Sequence, residues 1–394
     1  MSTPTDPSDL SSQLTALQQD YADLTTIHEI TLEHSNDIEA ALEQKLAEIA
    51  ELARDLDVRN RLLRKVFGRY MTDEVAAVLI DSPENFALGG ERRRVTIMMS
   101  DLRGFTPMCE RLTPEQTVRT LNVYLGEMAE VIARHGGWIN EFIGDAILAV
   151  FGAPLVAPRA AAHAVQCALE MQLAMTRVNE QLAAEGLPQV QMGIGLHTGE
   201  VVVGNVGSER RAKFGLVGSA VNLTSRIESY TIGGQVLISE STAGDLDEQL
   251  HARSTFKVNP KGVRHAVTIY DVAGLGSRML PTVDEELTPI VEGPLVGMSL
   301  IDGKDAGGEV VAAMLLALGD KEALFRFDQP PAVRSNLKLT FDDAGLGEGY
   351  GKVVSAEADT FRVHFTSLPP AAARWLSEFK RATTTKLAGA RTIS

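Results

Sequence analysis

The run Val95-Thr96-Ile97-Met98-Met99-Ser100-Asp101-Leu102-Arg103-Gly104-Phe105-Thr106 decides the fold. Its first six residues form an apolar, strand-like stretch. It ends on an acid and opens into a glycine-containing turn. A second run, Phe142-Ile143-Gly144-Asp145-Ala146, sets another acid in a tight Gly-Asp turn between the strand-like segments Trp138–Phe142 and Ala146–Phe151. If these strands are neighbours, Asp101 and Asp145 converge at one end of a sheet. Paired carboxylates there hold Mg²⁺ or Mn²⁺ beside a phosphate. The same pattern also fits a simpler reading, since an Asp after a strand is commonly a turn former or a helix cap.

Working outward, helical patterns cover Pro114–Arg134 and about Ala157–Glu185, the first stopped by Gly136-Gly137. Strands are expected at Val190–His197, Glu200–Val206, Ala212–Val217, Gln235–Ile238 and Val267–Val272, with a helix from Ser219 to about Tyr230. This order of strand, helix, hairpin, helix and strand predicts an α+β sheet with helices on one face.

On these residues the segment resembles the catalytic domain of class III nucleotidyl cyclases. The two acid runs are followed, in the family's order and spacing, by Val217-Gly218-Ser219-Ala220-Val221-Asn222-Leu223-Thr224-Ser225-Arg226. The resemblance covers about Arg92 to Val272 and implies a ferredoxin-like fold. It implies that Asp101 and Asp145, with the backbone carbonyl of Leu102, bind two divalent ions, Mg²⁺ or Mn²⁺. Asn222 would hold the ribose, and Arg226 would neutralise charge growing on the α-phosphate. Apart from the family, Asn222 and Arg226 are four apart on one helix face and could be a solvated surface. Lys261, in Pro260-Lys261-Gly262, matches a lysine that meets the terminal phosphates; a plain turn lysine is the alternative. Arg103 stands where a phosphate could pass, or it braces the loop. In this family the metal acids come from one chain and the base pocket with the Asn/Arg pair from the other. The chain carries both sets, so the resemblance implies a homodimer with two sites.

The base-specifying positions depart from the common adenylyl pattern. Adenylyl cyclases usually carry Lys three residues before Gly144; here it is Glu141. A carboxylate accepts from guanine N1–H and N2–H₂ together but cannot donate to adenine N1. The second selector falls at Gly215, where adenylyl enzymes use Asp or Thr. Both differences favour GTP over ATP, so the expected product is 3′,5′-cyclic GMP. An adenylate cyclase and a non-catalytic nucleotide-sensing module are the alternatives. A diguanylate cyclase would need a different hairpin from Gly144-Asp145.

The flanks are of other kinds. Between Pro7 and Pro83 there is no proline, and no glycine precedes Gly68. A heptad register runs from Leu10 to Val66, with apolar or aromatic residues at 12 of its 17 a and d positions. Its weak middle runs from His28 to Ser35. A repeat sustained this long predicts a coiled coil, about 85 Å long as one helix. A single helix packed on its own domain is the alternative. The organisation expected is a coiled-coil dimerisation and signalling helix over residues 1–68, then a connector at 69–91 with a short helix at Thr72–Ile80. The catalytic domain follows at 92–273, then a linker at 274–292, a small β-barrel at 293–385 and a tail at 386–394. Barrel strands are expected at Leu324–Phe327, Leu337–Phe341, Gly351–Val354 and Phe361–Phe365, with a closing helix at Ala371–Arg381. The barrel faintly resembles PilZ domains but lacks their RxxxR stretch and their D/N-x-S-x-x-G strand. Arg326 and Arg334 have the wrong spacing, so cyclic di-GMP binding is not implied.

Composition sets the outer bounds. The chain has 394 residues, 44% hydrophobic and 23% charged, enough to bury two or three cores. Fifty-two acids against 37 Lys and Arg give a net charge of −15, which opposes a phosphate-backbone binder, so no nucleic-acid partner is expected. Cys109 and Cys167 form no disulfide framework, which fits a reducing cytoplasm. The polar start has no secretory h-region, and no apolar run is long enough to span a membrane. An upstream regulatory protein acting on the coiled coil is compatible with this layout.

Overall fold

The computed structural model describes residues 7–67, 88–208, 210–260, 262–263, 265–281, 285–291, 293–301, 309–341 and 346–391. The connector helix expected at Thr72–Ile80, and Lys261, lie outside the described residues. The chain divides into two units, Met1–Ala76 and Ala77–Ser394.

Among the described residues the first unit contains one helix, α1 (Pro7–Phe67). Pro7 suits its first turn, where no N–H partner is needed. The heptad residues Leu14, Tyr21, Leu42, Ile49 and Leu56 are each more than half exposed.

The second unit holds two sheets. The first is built from β1 (Gly89–Leu102), β2 (Trp138–Ile143), β3 (Ala146–Phe151), β4 (Met192–Ser208), β5 (Arg211–Val217), β6 (Val236–Ser239), β7 (Leu250–Val258), β8 (Val267–Leu275) and β9 (Arg278–Met279). The order is β2-β3-β1-β4-β6-β8-β7, with β5 paired to β4 and β9 to β8. Its helices are α2 (Phe105–Cys109), α3 (Pro114–Arg134), α4 (Ala160–Ala184), α5 (Ser219–Ser229) and α6 (Glu240–Gly244). Thr113 caps α3: its hydroxyl accepts from the Gln116 N–H while the Gln116 side chain accepts from the Thr113 N–H, a capping box.

Two expectations are corrected. The helices lie on both faces, not one. Val236 and Ile238 of β6 join the large core under α3 and α4, whereas Leu237 packs with Ile227 of α5 on the opposite face. This explains the unbroken apolar run of β1, buried on both sides from Val95 to Ser100. The two strands expected around Gly199 are also one. β4 runs through that glycine because β1 pairs with it continuously, from Gly89↔Asn205 through Val95↔Gly199 to Leu102↔Met192.

The second sheet comprises β10 (Thr288–Pro289), β11 (Leu295–Ile301), β12 (Val311–Leu318), β13 (Glu322–Arg326), β14 (Asn336–Thr340), β15 (Glu348–Glu357) and β16 (Thr360–Ser367). Six of these strands close into a barrel through the order β12-β11-β14-β15-β16-β13 and the β12–β13 pairing. Phe325 and Phe361 stack inside it with ring centroids 5.8 Å apart. The helix α7 (Pro370–Arg391) seals one end, Trp375 packing on Phe341. It runs past Arg381 into the stretch expected to be a tail. Between the sheets, Leu280 is buried in the catalytic core and Ile290 in the barrel core. β12, whose sequence VAAMLLAL carries no period-2 pattern, and the largely exposed β7 were not expected from sequence.

Candidate active site

The register of β1 and β3 brings the two acids together. Ser100 pairs with Ile147, so the ladder continues toward Leu102 and Asp145. Gly144 turns the β2–β3 hairpin at φ 66°, a left-handed conformation that favours glycine. The Leu102 side chain is buried in the core and holds this backbone in place. The Asp101 and Asp145 carboxyls are within hydrogen-bonding reach of each other. Burial, and then the Asp101 carboxyl, push Asp145 well above the usual carboxylate range.

Such a pair is relieved by a divalent cation. The donors are all oxygen, which suits Mg²⁺ or Mn²⁺. Among the described residues no group of three or more His, Cys, Asp and Glu side chains forms a metal cage. Ions held by Asp101, Asp145 and the Leu102 carbonyl would therefore complete their shells with water and substrate phosphates, as Mg²⁺ sites commonly do.

Arg103 turns back on the acids. Its guanidinium is nearly buried and donates to Asp101 Oδ2 at 2.9 Å, to the Asp101 carbonyl at 3.3 Å and to Glu228. This is the bracing arrangement. Sequence reasoning missed Glu228. Its signal was position: Ala220, Thr224, Ile227 and Glu228 share the buried face of α5, so an acid there needs a buried partner. Burial raises Glu228 to about 7.

Asp101, Leu102, Arg103 and Asp145 line a hollow of about 490 Å³, and a second, of about 460 Å³, is lined by Asn140, Glu141, Lys213, Val217 and Asn222 among others. The Glu141 carboxylate is half-exposed and accepts from Lys213 Nζ at 2.8 Å. Gly215, on β5, faces Asn140; a Cβ on it would meet Asn140 Oδ1 at 3.1 Å. That oxygen is buried and has no hydrogen-bond partner. Asn222 and Arg226 lie on the exposed face of α5. Gly193 and Gly195 of β4 leave the room that seats this helix, since a Cβ on them would strike Thr231 and the Glu228 backbone.

The two hollows share no lining residue. Along β1, Met99 lines the hollow of Glu141 and Asp101 the hollow of the acids. Along the β2–β3 hairpin the division falls between Ile143 and Asp145. Within one chain, the acids and the Glu141/Asn222 wall do not form a common pocket.

Residues 90–274 match the family model for the adenylate and guanylate cyclase catalytic domain. This segment is a class III cyclase catalytic domain. Curated relatives include adenylate cyclase 1 of Rhizobium meliloti, 32% identical over 58% of this chain and 35% of that protein. The adenylate cyclase of Anabaena cylindrica is 35% identical over 61% of this chain and 50% of that protein. The chain thus spans half or less of these relatives' length. Among solved structures, the guanylyl cyclase Cya2 is 54% identical, covering 48% of this chain and 96% of that one, with a TM-score of 0.47.

In the cyclase domain, Asp101, Leu102 and Asp145 are thus brought together, as are Glu141 and Asn222. Arg226 does not line the hollow that Asn222 lines. No helix among the described residues is long and apolar enough to cross a membrane.

Proposed function

We propose that the chain works as a homodimeric cyclase that converts GTP to 3′,5′-cyclic GMP and pyrophosphate. The observation that carries the two-chain site is the separation of the hollows: acids in one, Glu141 and Asn222 in the other. Pairing two copies about a two-fold axis sets each hollow against its complement. The exposed heptad seam of α1 supports a coiled coil as the joining element.

In this reading Asp101, Asp145 and the Leu102 carbonyl hold the cations. When bound, these supply acidification of the ribose 3′-OH and a clamp on the triphosphate. Asn222 of the other copy orients the ribose. The 3′-oxygen attacks the α-phosphorus in line, its proton passes to solvent, and the bond to the β-phosphate oxygen breaks to release pyrophosphate. Arg226 offsets the charge that grows on the α-phosphate, which counts because it acts in the transition state. Lys261 meets the terminal phosphates.

Support for GTP is the acceptor at Glu141 and the missing side chain at Gly215, where Asn140 Oδ1 is an unfilled acceptor. One observation favours ATP: Lys213 neutralises Glu141 and sets a donor in the same hollow. Turnover by the full chain with ATP, GTP, CTP and UTP and Mn²⁺, with products separated by chromatography, decides between them. Dominant cyclic GMP is expected. Dominant cyclic AMP would overturn the base assignment, and no product from any nucleotide would point to an off state awaiting a partner or to a nucleotide-sensing module.

A further inference from the structure

The hollow holding Asp101 and Asp145, about 490 Å³, has its other wall built by the barrel, through Asn336, Tyr350, Lys352 and Thr366. Lys352 is unusual for a barrel residue. It is almost fully buried, yet Nζ donates to the Ser229 carbonyl at 2.6 Å and the Thr231 carbonyl at 2.9 Å, both in the cyclase domain. It thereby caps the C-terminal end of α5, where a cation is favoured. A buried ammonium is costly without partners, and these two carbonyls are what it finds.

Three further contacts share this seam. Arg334 places its guanidinium 3.2 Å from the Phe256 ring centroid and donates to the Tyr230 carbonyl at 3.5 Å. Arg111 donates to the Leu368 carbonyl at 3.3 Å. Gly104, at φ 67°, lies so close to the Thr366 carbonyl that any Cβ would overlap it.

Lys352 and Glu228 line the same hollow, and Glu228 holds Arg103, which in turn donates to Asp101. Seating Lys352 pins the last turn of α5, and with it Glu228. Glu228 and Asp101 together hold Arg103, whose NH2 occupies Asp101 Oδ2, an oxygen that a cation needs. Thr366 and Tyr350 wall the same space that a triphosphate, and a partner's Arg226, must enter to reach the acids.

We propose that the barrel is an autoinhibitory cap on the metal-binding half-site, seated through Lys352, and that its release opens that half-site to cations and to the partner copy. This rests on the reading of Asp101 and Asp145 as cation ligands.

The test uses the full chain with Lys352→Met and, separately, Arg334→Ala, which acts at the same seam away from the acids. Lys352→Arg is the conservative control. Three quantities are read: hydrogen exchange at residues 103–106 and 229–231, Mn²⁺ affinity from the resonance of the free ion, and cyclic nucleotide turnover. Expected are faster exchange at both segments, Mn²⁺ bound tighter by about fivefold or more, and higher turnover, with Lys352→Arg close to the parent. Faster exchange with Mn²⁺ affinity unchanged or weakened overturns the proposal. So does unchanged exchange in both variants, because Lys352 and Arg334 would then not seat the barrel. If no form makes cyclic nucleotide, the cyclase reading fails, while the Mn²⁺ titration still decides the cap.

Discussion

At the scale of single residues, the site rests on two carboxyls that would repel each other if both were ionised. In the proposed mechanism this pair holds the cations, so removing either acid removes the pair without touching the core. Asp101→Ala and Asp145→Ala are each expected to lower cyclic nucleotide formation by roughly 10²–10³-fold or more, the scale of deleting a preorganised electrostatic group. Unchanged circular dichroism would show that the fold is kept. Base choice is a separate question at Glu141. Glu141→Lys should collapse GTP turnover and raise the relative use of ATP; identical selectivity in the variant would reject Glu141 as the selector. The repulsion between Lys213 and the introduced lysine adds to the effect, since the parent carboxylate already bonds that ammonium.

At the scale of elements, α5 is placed by glycines rather than by its own exposed residues. Gly195→Val drives a side chain into the Glu228 backbone and is expected to cost about 1–3 kcal/mol as overpacking. A urea melt measures it. Because Glu228 and Arg226 ride on the same helix, activity should fall further than stability alone explains. β4 also carries a pH dependence. Burial, with the nearby Arg94 charge, lowers His197 to about 4 from its ordinary 6.5. The unfolded chain therefore binds the extra proton first, and stability is lost as pH falls from 6.5 toward 4. His197→Gln should flatten that part of the stability curve; an equal loss in both proteins would assign the acid sensitivity elsewhere.

At the scale of the whole molecule, a site made from two chains predicts complementation. Asp145→Ala and Arg226→Ala chains should each be inactive alone. Mixed, they should regain activity, because one of the two sites in the mixed dimer has both halves intact. No recovery on mixing would argue for a site completed within one chain. Removing residues 1–67 should make turnover rise steeply with protein concentration, as association loses the exposed seam of α1. Sedimentation would follow the same change.

The sequence by itself determined the local chemistry. Asp101, Asp145, Asn222 and Arg226 stand in short, ordered runs whose turns and helix spacing are local, and the stretch from 7 to 67, free of glycine and of interior proline, carries a local helix signal. The same runs identified the cyclase domain. What only the tertiary structure decided depends on contacts between distant segments. The helices occupy both sheet faces because β6 and β8 alternate their apolar residues between two cores. β4 is unbroken because β1 pairs along its whole length. β12 is a strand because barrel closure overrides its propensity. Lys352 carried no sign of a site role in the sequence, and the position of Glu228 on α5 said only that it needs a buried partner, not which one. Each is a common polar side chain in its own segment, and its role comes from the groups that folding packs against it: Arg103 from 125 positions away for Glu228, and the end of α5 for Lys352.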